Sequence, residues 1–136
     1  YASAGLRARA EAFLDPVAGE VLAADLIVCR AGATTLAELA AAGKPAVLVP
    51  FAAATDDHQR RNARVLVDAG AAEIVEEKDL TGARVAEVVR RLLNDRPRLD
   101  AMARAMRGLA KPNAAADIVT LVAVLARVSG ADAGGR

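Results

Sequence analysis

The sequence predicts an α/β domain built on a parallel sheet, and three observations carry that prediction. Short apolar runs alternate with segments of helical periodicity through the first two thirds of the chain, the order expected of βαβ units. Glycine, proline or a helix-capping residue stands where one period gives way to the other. The apolar fraction is 54% and the aromatic fraction only 2%. The core must therefore be built from Ala, Val, Leu and Ile, whose small size lets helices lie close against a sheet.

The elements follow in order. A short strand is expected to end at Phe13. Asp15 then caps a helix with Pro16 at its first position, running to about Ala24. Leu26 to Cys29 reads as the second strand. The helix from Thr34 to Ala42 stops at Gly43, and Lys44-Pro45 leads into a third strand, Ala46 to Val49, closed by Pro50. After an Ala-rich loop, Thr55, Asp56 or Asp57 starts a helix that ends at Gly70, and a fourth strand spans Ala72 to Val75. Beyond it the pattern is helical only. Val85, Val88, Val89, Leu92 and Leu93 mark one buried face; Leu99, Met102, Ala103 and Met106 mark a second; Ile118, Leu121, Val122 and Leu125 mark a third. From Ser129 the composition is that of a disordered tail.

Length and charge narrow the functions. With 136 residues the chain holds one core, and its net charge of +1 gives no field that would draw nucleic acid. Basic residues are not interleaved with aromatics that could stack on bases, so nucleic acid is not an expected partner. A single cysteine excludes an internal disulfide framework, and Cys29 reads as a buried, inert thiol. No apolar run approaches the roughly 18 residues of a membrane span.

The chemistry is expected at DLIVCRAGATTLAE, Asp25 to Glu38, where a strand runs through a Gly-centred turn into a helix. The amides of Gly32, Ala33 and Thr34 would cluster beside the Arg30 guanidinium and suit a phosphate. Glu38, one helical turn after Thr34, suits ribose hydroxyls instead. In a parallel sheet the strand-to-helix turns share one edge, which would bring together Phe13 to Val17, Arg30 to Glu38 and Ala52 to Asn62. In the last of these, His58 and Asn62 share a helical face beside Gln59 and could bind sugar hydroxyls. Blander readings fit the same residues: an ordinary capped turn at Gly32, and a solvated helix start at Asp56, Asp57 and His58. No G-x-G-x-x-G, P-loop or Ser-His-Asp pattern is present, and adjacent carboxylates at a helix start make no metal site.

Two long stretches, ADLIVCRAGATTLAELAAAGKPAVLVPF and TDDHQRRNARVLVDAGAA, resemble the carboxyl-terminal donor domain of the MurG family. These bacterial transferases move GlcNAc from UDP-GlcNAc onto undecaprenyl-pyrophosphoryl-MurNAc-pentapeptide, making lipid II. The resemblance runs from about Tyr1 to Ala126 and takes in AFLDPV and KPNAAADIV. It implies a GT-B fold of two Rossmann-like domains, with residues 1–128 a partial UDP-GlcNAc-binding domain and 129–136 the tail. Carried over by position, Leu14 would offer backbone groups to uracil. Arg30 and the turn Ala31, Gly32, Ala33, Thr34 and Thr35 would face the diphosphate, with Leu36 and Ala37 completing the donor-binding stretch up to Glu38 on the ribose. Gln59, with His58 and Asn62, would reach the diphosphate or the GlcNAc hydroxyls. No metal or other cofactor is implied.

The sequence departs from the family pattern in two places. Ala52, Ala53 and Ala54 stand where a proline and a bulkier or polar residue are common. The GGS loop of the first βα unit is missing, as is the amino-terminal domain that binds lipid I, supplies the base and meets the membrane. The resemblance therefore implies no catalytic residue in this chain, inactivity in isolation, and a parent protein in the bacterial cytoplasm at the inner membrane. A stand-alone donor-binding subunit of a two-component transferase, or a structural fragment without ligand affinity, are the alternatives.

Overall fold

The computed structural model describes residues 5, 7–53 and 57–132, and side chains through residue 126. Among the described residues, three short strands form one parallel sheet: β1 (Ile27–Cys29), β2 (Ala46–Leu48) and β3 (Ala72–Ile74), in that spatial order. Val28 lies opposite Val47, and Val47 opposite Glu73. The ladder extends past β2 and β3 through Val49 N–H to Cys29 O at 2.8 Å and Val75 N–H to Leu48 O at 2.9 Å.

The helices are α1 (Val17–Ala23), α2 (Ala33–Ala42), α3 (His58–Asp68), α4 (Gly82–Leu93), α5 (Arg96–Gly108) and α6 (Ala114–Asp132). Side chains alternate across a strand, so the fully buried β2 feeds two cores. Leu48 joins Leu36, Leu39, Ala40, Leu66 and Met106 on one face. Val47 and Val49 join Val75, Val88, Leu92, Leu99 and Met102 on the other. Helix α5 thus reaches both faces, through Leu99 and Met102 on one and Met106 on the other.

Local chemistry explains most of the boundaries. Gly43 ends α2 at φ 64°, in the left-handed region where glycine has no Cβ penalty, and its amide and that of Lys44 return to Ala40 O and Leu39 O. Thr81 Oγ1 accepts the Arg84 amide to cap α4, and Asp95 Oδ1 accepts the Arg98 amide to cap α5.

Four expectations need correction. Residues 7–14 form no strand, and Phe13 is 82% exposed. Alternating alanines have little β propensity and bury little area, while Arg9 ties this segment to Glu11 and Glu20 instead of to the sheet. Helix α1 starts at Val17 with Pro16, not Asp15, at the cap position, and no side chain caps it. The face of Ile118, Leu121, Val122 and Leu125 is exposed along α6, each side chain by more than half. Helical periodicity identifies a face suited to burial, not the surface that buries it. The tail expected from Ser129 is helical through Asp132, because extending an existing helix is far easier than starting one. Thr55 and Asp56, expected helix starters, lie outside the described residues, as do residues 133–136.

Glu73 of β3 accepts two hydrogen bonds from Arg91 of α4, at 3.1 and 2.5 Å. The Arg91 hydrogen bond holds the Glu73 carboxyl below the usual carboxylate range. A depressed folded-state pKa contributes stability above the unfolded value of about 4.3, and this is lost as pH falls through the folded one. The urea midpoint is expected to drop on acidification from about pH 5 to pH 3. In Glu73→Gln it should drop less steeply; an equal slope would remove Glu73 from the acid response. No helix among the described residues is long and apolar enough to cross a membrane.

Candidate functional site

Because all three strands run parallel, the turns leaving them lie along one edge of the sheet. The turn from β1 into α2 is the tightest. Gly32 occupies the cap position in an extended conformation, and no side chain caps the helix. The first bond inside the helix is Leu36 N–H to Gly32 O at 3.0 Å. The amides of Ala33, Thr34 and Thr35 therefore have no acceptor within the helix, at its positive end. Ala33 and Thr34 are exposed and Thr35 half-buried, so this donor cluster is open to an anion.

The rest of the expected stretch divides by helical geometry. Ala31 is fully buried, and Leu36 is in the core with its amide already spent, so Leu36 has neither side chain nor N–H to offer a ligand. The turn of the helix sets this division: Leu36, Leu39 and Ala40 face the sheet while Ala37 and Glu38 face out. Glu38 stands on a groove of about 360 Å³ between α1 and α2, otherwise lined by alanines and by Val17, Val21 and Leu22. Leu14 is exposed in the segment leading into α1, but is not part of that lining.

Arg30, expected beside the α2 turn, has its guanidinium engaged with groups that follow β2 and β3. Its Nη2 pairs with Glu77 Oε1 at 2.8 Å, and its Nη1 points to the carbonyls of Val49 and Pro50, each at 3.4 Å. The guanidinium also lies over the Phe51 ring, 5.4 Å from its centre. A guanidinium and three helix amides are all donors and have nothing to give one another, whereas the ends of β2 and β3 supply acceptors.

Helix α3 ties these turns together. Gln59 Oε1 accepts the Phe51 amide at 3.0 Å, which leaves Nε2 as its donor group. Asn62 Nδ2 donates to Ala31 O at 3.4 Å. His58, exposed, opens the helix beside Asp57, which is left-handed at φ 54°. Gln59 and Asn62 thus brace the two turns in addition to standing beside them.

Glu77 was not anticipated from the sequence. Its Oε2 accepts the Ala52 amide at 2.9 Å while Oε1 takes Arg30. The Ala52 amide first, and Arg30 second, hold its carboxyl below the usual carboxylate range. The signal was available: Glu77 follows β3 closely, so the carboxyl-edge rule applied to the last strand would have included it. Burial pushes the Cys29 thiol up, which fits an inert side chain. Among the described residues, no cluster of His, Cys, Asp or Glu could hold a metal ion.

The family model for the glycosyltransferase family 28 C-terminal domain matches residues 1–120, a span that includes every turn just described. The chain belongs to that family. Within it, the chain is 47% identical over 127 residues to the UDP-N-acetylglucosamine–N-acetylmuramyl-(pentapeptide) pyrophosphoryl-undecaprenol N-acetylglucosamine transferase of Anaeromyxobacter sp. (strain K), covering 93% of this chain and 33% of that protein. The protein of the same description from Nitratidesulfovibrio vulgaris (strain DP4) is 54% identical over 111 residues, covering 82% of this chain and 30% of the relative. The chain thus spans about a third of the length of the curated relatives it matches.

Solved structures agree on the fold. The crystal structure of Acinetobacter baumannii MurG superposes with a TM-score of 0.73 at 43% identity, over 80% of this chain and 32% of that one. The glycosyltransferase of kitacinnamycin superposes with a TM-score of 0.57 at 27% identity, over 77% of this chain and 27% of that one. The α/β class expected from the sequence, a parallel sheet with helices on both faces, is therefore the fold of this glycosyltransferase family domain.

Proposed function

We propose that this chain is the UDP-GlcNAc-binding part of a MurG-type transferase that makes lipid II. The observation that carries the reading is the set of uncapped amides of Ala33, Thr34 and Thr35, one helical turn from the exposed Glu38 on the same helix. Anion donors and a carboxylate at that spacing suit the two unlike ends of a ribose diphosphate. The diphosphate docks on the amides and Glu38 accepts from the ribose hydroxyls. The base lies toward Leu14 and α1. Gln59, through Nε2, acts with His58 and Asn62 on the diphosphate or the sugar hydroxyls.

In the transfer step the bond from the anomeric carbon to the UDP oxygen breaks as the acceptor oxygen attacks. Negative charge then grows on the departing diphosphate, where the helix end and Arg30 oppose it. Lipid I, the base that deprotonates it, and contact with the cytoplasmic face of the membrane are assigned to parts of the parent protein outside this chain. The chain alone is then a binding unit without turnover.

Calorimetry with UDP, UDP-GlcNAc and uridine tests the reading directly: UDP should bind, and its failure to bind at millimolar concentration would overturn the proposal. Arg30→Ala should weaken UDP by about 1 kcal/mol and uridine by much less, since Arg30 is half-exposed and already shared with Glu77. Equal losses for the two ligands would argue against a phosphate role.

A further inference from the structure

The Arg30 guanidinium and the Ala52 amide converge on a single carboxylate, and both belong to turns on the proposed ligand edge. A cationic fork and a backbone N–H aimed at one group are the donors that also hold a phosphate oxygen. Glu77 sits in this cradle as an ionised acceptor, one oxygen on each donor. Glu77 opens a short 3-10 turn and is half-buried, and neighbouring Glu76 has its own partner in Arg60, at 3.0 Å.

We propose that Glu77 is an internal anion that occupies the Arg30–Ala52 cradle and competes with the diphosphate of a bound ligand for it. The inference rests on the donor-site reading and adds a residue that sets affinity for the anionic end of the ligand alone. Arg30 stands directly before the α2 turn, so its long side chain pivots between the Glu77 carboxylate and a phosphate seated on the Ala33 to Thr35 amides. When the diphosphate takes the guanidinium, Glu77 loses its charge partner and faces a second anion. Both effects lower affinity for diphosphates, and neither touches the nucleoside. Glu77 is accordingly a positioning residue, acting through Arg30.

Glu77→Gln keeps the size and the acceptor for Ala52 N–H while removing the charge. In the full chain this variant is expected to bind UDP and inorganic pyrophosphate about tenfold more tightly than the unaltered protein, with uridine changed by less than about twofold. In an Arg30→Ala background the gain from Glu77→Gln should shrink to about threefold or less. The Ala52 amide, followed by NMR, should move when pyrophosphate is added to the unaltered chain, as the Glu77 carboxylate that accepts it loses Arg30. Unchanged or weaker binding of both anions by Glu77→Gln would overturn the proposal. So would an equal change for uridine, which is the result of loop displacement alone, or a gain that survives in full without Arg30. If pyrophosphate responds to Glu77→Gln but UDP binds neither protein, the donor-site reading falls and the Glu77 role stands. If UDP and uridine bind but Glu77→Gln is without effect, the reverse holds, and if neither anion binds either protein, both fall.

Discussion

Replacing Leu48 by alanine is expected to destabilise the domain by about 2–5 kcal/mol, the range for deleting a large aliphatic side chain from a packed core. Leu48 belongs to the central strand, lies opposite Cys29 on one side and Ile74 on the other, and is completely buried. Its neighbours in the cluster include Leu36 and Leu39 of α2 and Met106 of α5. Among the described residues no aromatic ring lies in the core to tilt into the vacated space, because Phe13 and Phe51 are both on the surface. The loss should therefore approach the upper half of that range. Urea denaturation reads it as a lower midpoint at constant slope. A change below about 1 kcal/mol would mean that the sheet and α2 collapse onto the cavity, which would contradict the close packing described.

Glu38→Ala carries the largest expected effect on binding, a loss of about 1.5–3 kcal/mol for UDP, the range for hydrogen bonds to a charged group. Folding stability should change by no more than about 0.5 kcal/mol, since Glu38 is exposed and has no ion pair among the described residues. Ribose recognition can be separated from a general charge effect with 2′-deoxy-UDP. The unaltered chain should prefer UDP over the deoxy ligand, and Glu38→Ala should lose that preference. Unchanged UDP affinity would show that Glu38 is not the ribose ligand. A preference retained in the variant would assign the hydroxyl contact elsewhere.

Several elements could be read from the sequence because backbone chemistry alone determines them. Gly43 and Gly70 end α2 and α3 at positive φ, and short apolar runs between helices became β1, β2 and β3. The strand-turn-helix at Gly32 left its amides uncapped as expected, since glycine has no side chain to place there. Other features depended on contacts that local pattern does not encode. Whether Phe13 ends a strand depends on a neighbour to pair with, and whether Leu121 is buried depends on what lies over α6. The direction of the Arg30 side chain was set by acceptors 19 and more residues away, at Val49, Pro50 and Glu77. A donor's position in sequence says where it starts, and only the acceptors around it say where it ends.

Helix α5 has a consequence for how the domain comes apart. Leu99 and Met102 are embedded on one side of the sheet and Met106 on the other, each at most 4% exposed. Peeling away either layer would strip α5 of buried side chains that the opposite layer also relies on, so the two sides share one unfolding equilibrium. The slowest-exchanging amides of β2 then report the free energy of the whole domain, and partial opening is confined to α1, α6 and the turns at the sheet edge.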